Sequence, residues 1–108
     1  MQITRGDTAK FKFKRINADG NVIGTPADAI YFTVKENGYT DEILIQKTLN
    51  DIEFDGIYYH LTILPEDTNE LKYGTYHYDI EIIQDGVKTT VAFDEFIIAE
   101  EITFATDE

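Results

Sequence analysis

The chain of 108 residues contains no cysteine, no serine and no tryptophan. Without cysteine it has no disulfide, no thiolate nucleophile and no Cys-ligated zinc. Without serine a common hydroxyl nucleophile is missing, and a threonine would need an adjacent base that no motif here indicates. A domain of this length can still bury a real core without covalent staples, and their absence favours folding in a reducing compartment.

Long apolar runs are also missing. The first residues lack the apolar segment of about 7–15 residues that a signal peptide needs. No stretch reaches the roughly 18 apolar residues of a membrane helix. We therefore expect a protein with no signal peptide and no membrane partner, located in the cytoplasm.

Basic residues are scarce, because nine lysines and arginines stand against 21 acidic residues, for a net charge of −12. Phosphate backbones and anionic lipids repel such a chain, so we expect no nucleic-acid partner. The bases gather near the N-terminus as Arg5, Lys10, Lys12, Lys14 and Arg15, whereas the segment Asp94 to Glu108 contains only acids among its charged residues. The two segments are either complementary contact surfaces for head-to-tail association or the solvated faces of edge strands.

Apolar and polar residues alternate along most of the chain, which is typical of half-buried strands. In the first such run, Ala9, Phe11 and Phe13 alternate with three lysines. Turn signals separate the runs at intervals of eight to twelve residues, and the Asn-Gly and Asp-Gly pairs among them predict tight hairpins. The pattern predicts one all-β domain over residues 1–108, an Ig-like antiparallel β-sandwich of seven to nine short strands. A small barrel is the alternative that periodicity leaves open.

The segment Leu64–Ile83 reads as a strand end, a one-turn helical corner, a glycine turn and a long strand that begins on a tyrosine. This order is how an Ig-like sandwich crosses between its sheets, with the tyrosine hydroxyl anchoring the corner. The predicted structural corner consists of Pro65, Asp67, Leu71, Gly74 and Tyr76.

One acidic segment and one pair of histidines are candidate sites. Asp51–Gly56 resembles half of a calcium loop, but Thr62 stands where an EF-hand needs a bidentate carboxylate, so a solvated hairpin tip is favoured. His60 and His77 could bind a metal or act as acid and base, yet both lie on predicted outward faces and no nucleophile accompanies them. We expect no catalytic residue, no cofactor and no metal site, and a protein that is not an enzyme.

Seven tyrosines are many for so short a chain. Tyrosine suits interfaces, because it buries a large area at low entropic cost and keeps a polar tip. We single out Tyr31, Tyr39 and Tyr58 as a possible interaction surface, although packing between strands accounts for tyrosines equally well.

The whole chain also resembles a group of bacteriophage and prophage virion domains. The similarity starts with Gly6-Asp7-Thr8 and its alternating strand, and continues through the turn Asp19-Gly20-Asn21 and the strand at 27–35. Its strongest parts are Leu61–Thr68 and Leu71–Ile80, which resemble the Leu-x-x-x-Pro-x-x-Thr and Gly-x-Tyr-x-Tyr-Asp-Ile runs of that group. The group is similar to the N-terminal Ig-like domain of phage upper-baseplate and tail-fibre-attachment proteins, and the similarity covers about residues 4–99.

The resemblance implies a structural, protein-binding module of a tail or baseplate. Its partners would be other virion subunits, in a homo-oligomer or another symmetric assembly, and it would pass from the host cytoplasm into the virion. The chain has no counterpart of the long C-terminal extension of larger baseplate proteins, so a small accessory virion protein or an excised domain fits equally well. A carbohydrate-binding or adhesion module with the same fold is the alternative function.

Overall fold

The computed structural model describes residues 1–100. Eight strands and two single helical turns make up this part of the chain. The strands are β1 (Gln2–Thr4), β2 (Ala9–Phe13), β3 (Ala29–Lys35), β4 (Ile45–Thr48), β5 (Glu53–Phe54), β6 (Tyr59–Ile63), β7 (Gly74–Gln84) and β8 (Val87–Ala99). A 3-10 turn spans Leu49–Asp51, and the helical turn α1 spans Pro65–Thr68. None of the helices in residues 1–100 is long and apolar enough to cross a bilayer.

Two sheets face each other. The five-stranded sheet has the order β1-β8-β7-β3-β4, and the three-stranded sheet has the order β2-β6-β5. This strand order is the Ig-like arrangement, so the predicted all-β sandwich is confirmed. One detail of the prediction is wrong: β1 pairs with β8 in parallel, Ile3 opposite Ile98, so the larger sheet is mixed. The chain enters along one end of β8 and only then crosses to the other sheet.

The core lies between the sheets and follows the period of two. On β3, Ile30, Phe32 and Val34 are buried, and on β6 Tyr59, Leu61 and Ile63 are buried. Phe32 packs against Phe96 of β8, with ring centroids 6.2 Å apart. Burying each of these side chains contributes about 1.5–3 kcal/mol. The core therefore holds the two sheets together without any covalent link.

The last strand differs from its prediction. Its pattern predicts two strands, Lys88–Phe93 and Glu95–Ala99, but the structure has one strand of 13 residues with a bulge. Ile80 pairs with Ala92 while Glu81 pairs with Thr90, which leaves Val91 as the extra residue. A bulge shifts the alternation of side chains by one residue. Before Val91 the odd-numbered residues of β8 point inward, and after Val91 the even-numbered residues do. Val87 and Thr89 thus face the same side of the sheet as Phe96.

Other boundaries moved slightly. The apolar pair Val22–Ile23 predicts a short strand, but there the structure has an isolated bridge between Ile16 and Val22. Ile102 and Phe104 predict a continuation of the last strand, and those two residues lie outside the described part of the chain.

Candidate functional site

The corner residues lie together at one end of the sandwich. Pro65 begins α1, where its missing N–H costs no helical hydrogen bond. The Asp67 carboxylate accepts a hydrogen bond of 2.7 Å from the Leu64 N–H and forms an ion pair of 2.8 Å with Lys47. Leu71 packs against the core, and Gly74 starts β7 at φ +143°, a conformation that favours glycine.

The Tyr76 hydroxyl donates a hydrogen bond of 2.7 Å to the Lys72 carbonyl, four residues upstream. This is the tyrosine-corner geometry of Ig-like domains. The bond connects the start of β7 to the turn before it, so it restrains the crossing between the sheets. The role of this cluster is structural.

Sequence reasoning missed Thr68 at the same corner. Its side chain is fully buried, and its hydroxyl oxygen accepts a hydrogen bond of 2.9 Å from the Gly6 N–H. Arg5 lies over the Tyr73 ring, with its guanidinium carbon 4.3 Å from the ring centroid. The turn between β1 and β2 is therefore tied to the corner, a contact across more than sixty residues that no local pattern could indicate.

The outer face of the five-stranded sheet carries a shallow depression of about 600 Å³. Two rows of side chains cross β3, β7 and β8 there, with the loop residues Asn37, Gly38 and Tyr39 at one side. The rows are Thr33–Asp79–Phe93 and Lys35–His77–Glu95. Two aromatic side chains stand out, because Tyr39 is 99% exposed and Phe93 is 80% exposed.

Negative charge dominates this depression. Asp79 and Glu95 line it against Lys35. Partial burial raises the pKa of the Asp79 carboxyl, with neighbouring Glu81 adding to the effect and Lys35 opposing it. The surface combines exposed aromatic area with acidic groups, which suits a partner of opposite charge.

The three tyrosines predicted as an interaction surface do not come together. Tyr31 lies on the outer face of β3, and Tyr39 lies at the depression on the same sheet. Tyr58 comes directly before β6 of the three-stranded sheet, and Lys12 and Lys14 sit over its ring at 4.4 and 5.6 Å from the centroid. The residue that joins Tyr39 is instead Phe93, which the sequence pattern did not single out because the bulge at Val91 hides the direction in which β8 residues point.

The outer face of the three-stranded sheet holds a contact between a histidine and a carboxylate. Lys12 lies opposite His60 across β2 and β6. The His60 Nε2 atom is 2.7 Å from the Asp55 carboxylate, which also accepts hydrogen bonds of 2.8 Å from the Ile57 and Tyr58 N–H groups. These bonds, the one to His60 first, lower the pKa of Asp55 from 3.8 to about 2. Asp55 thus caps a hairpin turn.

The two histidines are far apart, because His60 is on the three-stranded sheet and His77 is on the five-stranded one. Within residues 1–100, no three side chains of His, Asp or Glu form a group that could hold a metal ion. Asp51, Glu53 and Asp55 do not converge as a calcium loop would require.

Comparison with known proteins adds no further assignment: neither a protein-family model nor a curated protein sequence matches this chain.

Proposed function

We propose that this domain is a non-enzymatic protein-binding module that serves as a structural part of a phage or prophage virion, in the tail or baseplate. The observation that carries the proposal is the depression on the five-stranded sheet, where the Phe93 and Tyr39 side chains are exposed to solvent. Exposed aromatic side chains on a rigid sheet are typical of interaction sites, because a partner that covers them gains large apolar area at little entropic cost.

The charge of this surface narrows the kind of partner. Asp79 and Glu95 line the depression, so a protein surface with lysine or arginine around an apolar centre would complement it. The domain supplies a rigid platform, since the rows that carry these residues belong to the three best-paired strands of the sheet. Binding would need no rearrangement of the backbone.

The virion assignment is supported by the motif resemblance. The Gly6-Asp7-Thr8 opening and the corner of Pro65 and Tyr76 carry that resemblance. The Ig-like sandwich is the fold that the resemblance implies. On this proposal the domain assembles in the host cytoplasm with other virion subunits and is then carried in the particle.

Quantitative mass spectrometry of purified particles tests the proposal. We expect this chain at a fixed ratio to the tail proteins, and its absence from particles despite abundant expression would overturn the virion role. A Phe93→Asp variant should fold but fail to enter particles. Ile43→Asp is the matched control, because Ile43 is also exposed but does not line the depression. Equal incorporation of both variants would contradict the proposed binding surface.

A carbohydrate-binding module is the second candidate. The observation in its favour is that the exposed Tyr39 and Phe93 rings stand beside Asp79 and Glu95, because sugars stack on aromatic rings and donate hydroxyl hydrogen bonds to carboxylates. Calorimetric titration of host wall polysaccharide into the purified chain tests it. Binding that Phe93→Ala abolishes would favour this function, and a flat titration would exclude it for that glycan.

A further inference from the structure

A second surface lies at the end of the sandwich opposite the corner. There a groove of about 400 Å³ separates the end of β2 from the β7–β8 hairpin. Its walls are apolar, with Ile80 and Ile82 on β7 and Ile16, Val87 and Val91 left exposed to water. The bulge at Val91 produces this wall, because it turns Val87, Thr89 and Val91 toward the groove.

The backbone beside the groove also lacks partners. Within residues 1–100, β2 pairs with β6 alone, so its other edge is free. In the same residues, β1 pairs with β8 from Ile97 to Ala99, which leaves the edge of β8 without a paired strand from Val87 to Asp94. Open edges beside an apolar groove are the geometry in which an added extended segment binds, with backbone hydrogen bonds for affinity and alternate side chains for specificity.

The charge of the groove is opposite to that of the whole chain. Arg15 is the charged side chain held at the groove, because the Lys14 ammonium lies 5.6 Å from the centre of the Tyr58 ring, beside Lys12. Arg15 donates hydrogen bonds of 2.7 Å to the Thr25 carbonyl and 3.3 Å to Gln84 Oε1, which hold its guanidinium at the groove.

We propose that this groove binds the acidic segment 100–108 of a second copy of the chain. The segment has Glu100, Glu101, Asp107 and Glu108 and no base, which complements Arg15. Ile102 and Phe104 are two residues apart, so in an extended segment both side chains enter the groove from the same side. The contact joins the C-terminal segment of one copy to the open end of the next.

The same chain cannot supply these side chains. The near rim of the groove is at Ala92, seven residues before Ala99 on β8 and thus about 23 Å away at the rise of a strand. Phe104 is five residues beyond Ala99, and an extended chain of that length spans at most about 18 Å, less whatever length is needed to turn back along β8. Ile102 reaches less far. The segment therefore fits the groove of a neighbour.

Such a contact is heterologous, because a segment of one copy meets a groove of another. Contacts of this kind close into rings or extend into filaments. This contact between copies would be one of those that build the symmetric assembly of the proposed function. Its place in a virion rests on that proposed function, whereas the contact itself does not. It uses a different surface from the one that carries Phe93, so each can fail alone.

Analytical ultracentrifugation of the full chain tests the inference. We expect wild type to form oligomers that grow with protein concentration and weaken with added salt. Phe104→Asp, in the segment, and Val91→Asp, in the groove, should each weaken self-association at least about tenfold, the cost of roughly 1.4 kcal/mol. Arg15→Gln should also weaken it, by removing the charge at the groove without altering the apolar wall. A wild type that stays monomeric from micromolar to millimolar concentration would overturn the inference.

A mixture of the two broken variants makes the test decisive. Phe104→Asp keeps an intact groove and Val91→Asp keeps an intact segment, so together they should form a heterodimer that grows no further. The controls are Thr103→Asp, one residue away on the other side of an extended segment, and Ile43→Asp. Ile43 is 48% exposed and Val91 is 47% exposed, but Ile43 does not line the groove. Loss of association in either control, or no heterodimer in the mixture, would overturn the inference, whereas the Phe93→Asp incorporation assay would be unaffected.

Discussion

The two ends of the sandwich are built in different ways. At the corner end, buried or half-buried polar groups close the fold, with Thr68 bound to Gly6 and Tyr76 bound to Lys72. At the opposite end, which holds the β5–β6 and β7–β8 hairpins, the Ala27 N–H also donates a buried bond to the Tyr59 hydroxyl, but the bonds of Asp55 are exposed and local and an apolar groove stays uncovered. The comparison teaches that one end fixes the crossing between the sheets, while the other leaves apolar area exposed to water.

The largest loss of stability should come from a substitution on the face of β8 that packs into the core. Phe96→Ala should lower the free energy of unfolding by about 3–5 kcal/mol, because it leaves a cavity among fully buried side chains. Phe93→Ala changes the same residue type on the opposite face and should stay within about 0.5 kcal/mol of wild type. Urea unfolding of both variants measures the difference. Similar losses would mean that the face assignment across the bulge is wrong.

The corner bond comes next. Tyr76→Phe removes the hydroxyl that donates to the Lys72 carbonyl and should destabilise the domain by about 1–3 kcal/mol. Tyr39→Phe is the control, because its side chain is almost fully exposed and its loss of a hydroxyl should change nothing measurable. If Tyr76→Phe resists urea as well as wild type does, the tyrosine does not hold the corner.

The hydrogen bond from the Gly6 N–H to the Thr68 hydroxyl, which connects the turn after β1 to the corner, tests the same comparison. Thr68→Val keeps the volume of the buried side chain but leaves the Gly6 N–H without its acceptor, at a cost of about 1 kcal/mol. The amide of Gly6 should then exchange its hydrogen faster, which hydrogen exchange by NMR can follow. Unchanged protection of Gly6 would show that water or another group replaces the threonine.

The smallest effect on stability is expected for Asp55, at the end of the sandwich opposite the corner, and it depends on pH. The pKa of Asp55 is lowered to about 2 in the folded chain from 3.8, so its stabilising bonds are fully present above pH 3.8. They are lost as the pH falls toward 2, because the carboxylate takes up a proton. The stability advantage of wild type over Asp55→Asn should therefore shrink across this window in urea titrations. An advantage that stays constant down to pH 2 would contradict the assignment.

The alternation of residues and the turn pairs predicted most of the strands and the sandwich itself. Pro65 and the tyrosine that starts β7 predicted where the corner lies, since helix starts and turns depend on a few neighbouring residues. The candidate surface was predicted less well. Tyr39 lies on it, but Tyr58 belongs to the other sheet and Phe93 was overlooked.

Sequence alone thus determined the features that depend on local chemistry: strand periodicity, the Asp-Gly hairpins and the order of parts at the corner. Tertiary structure decided the parallel pairing of β1 with β8, the burial of Thr68 and the bulge at Val91. Each of these depends on the register between segments far apart in the chain, and a shift of one residue reverses which side chains face the core. That single bulge turns Val91 toward the groove while Phe93 faces the other side of the sheet, which the residue pattern of the strand could not show.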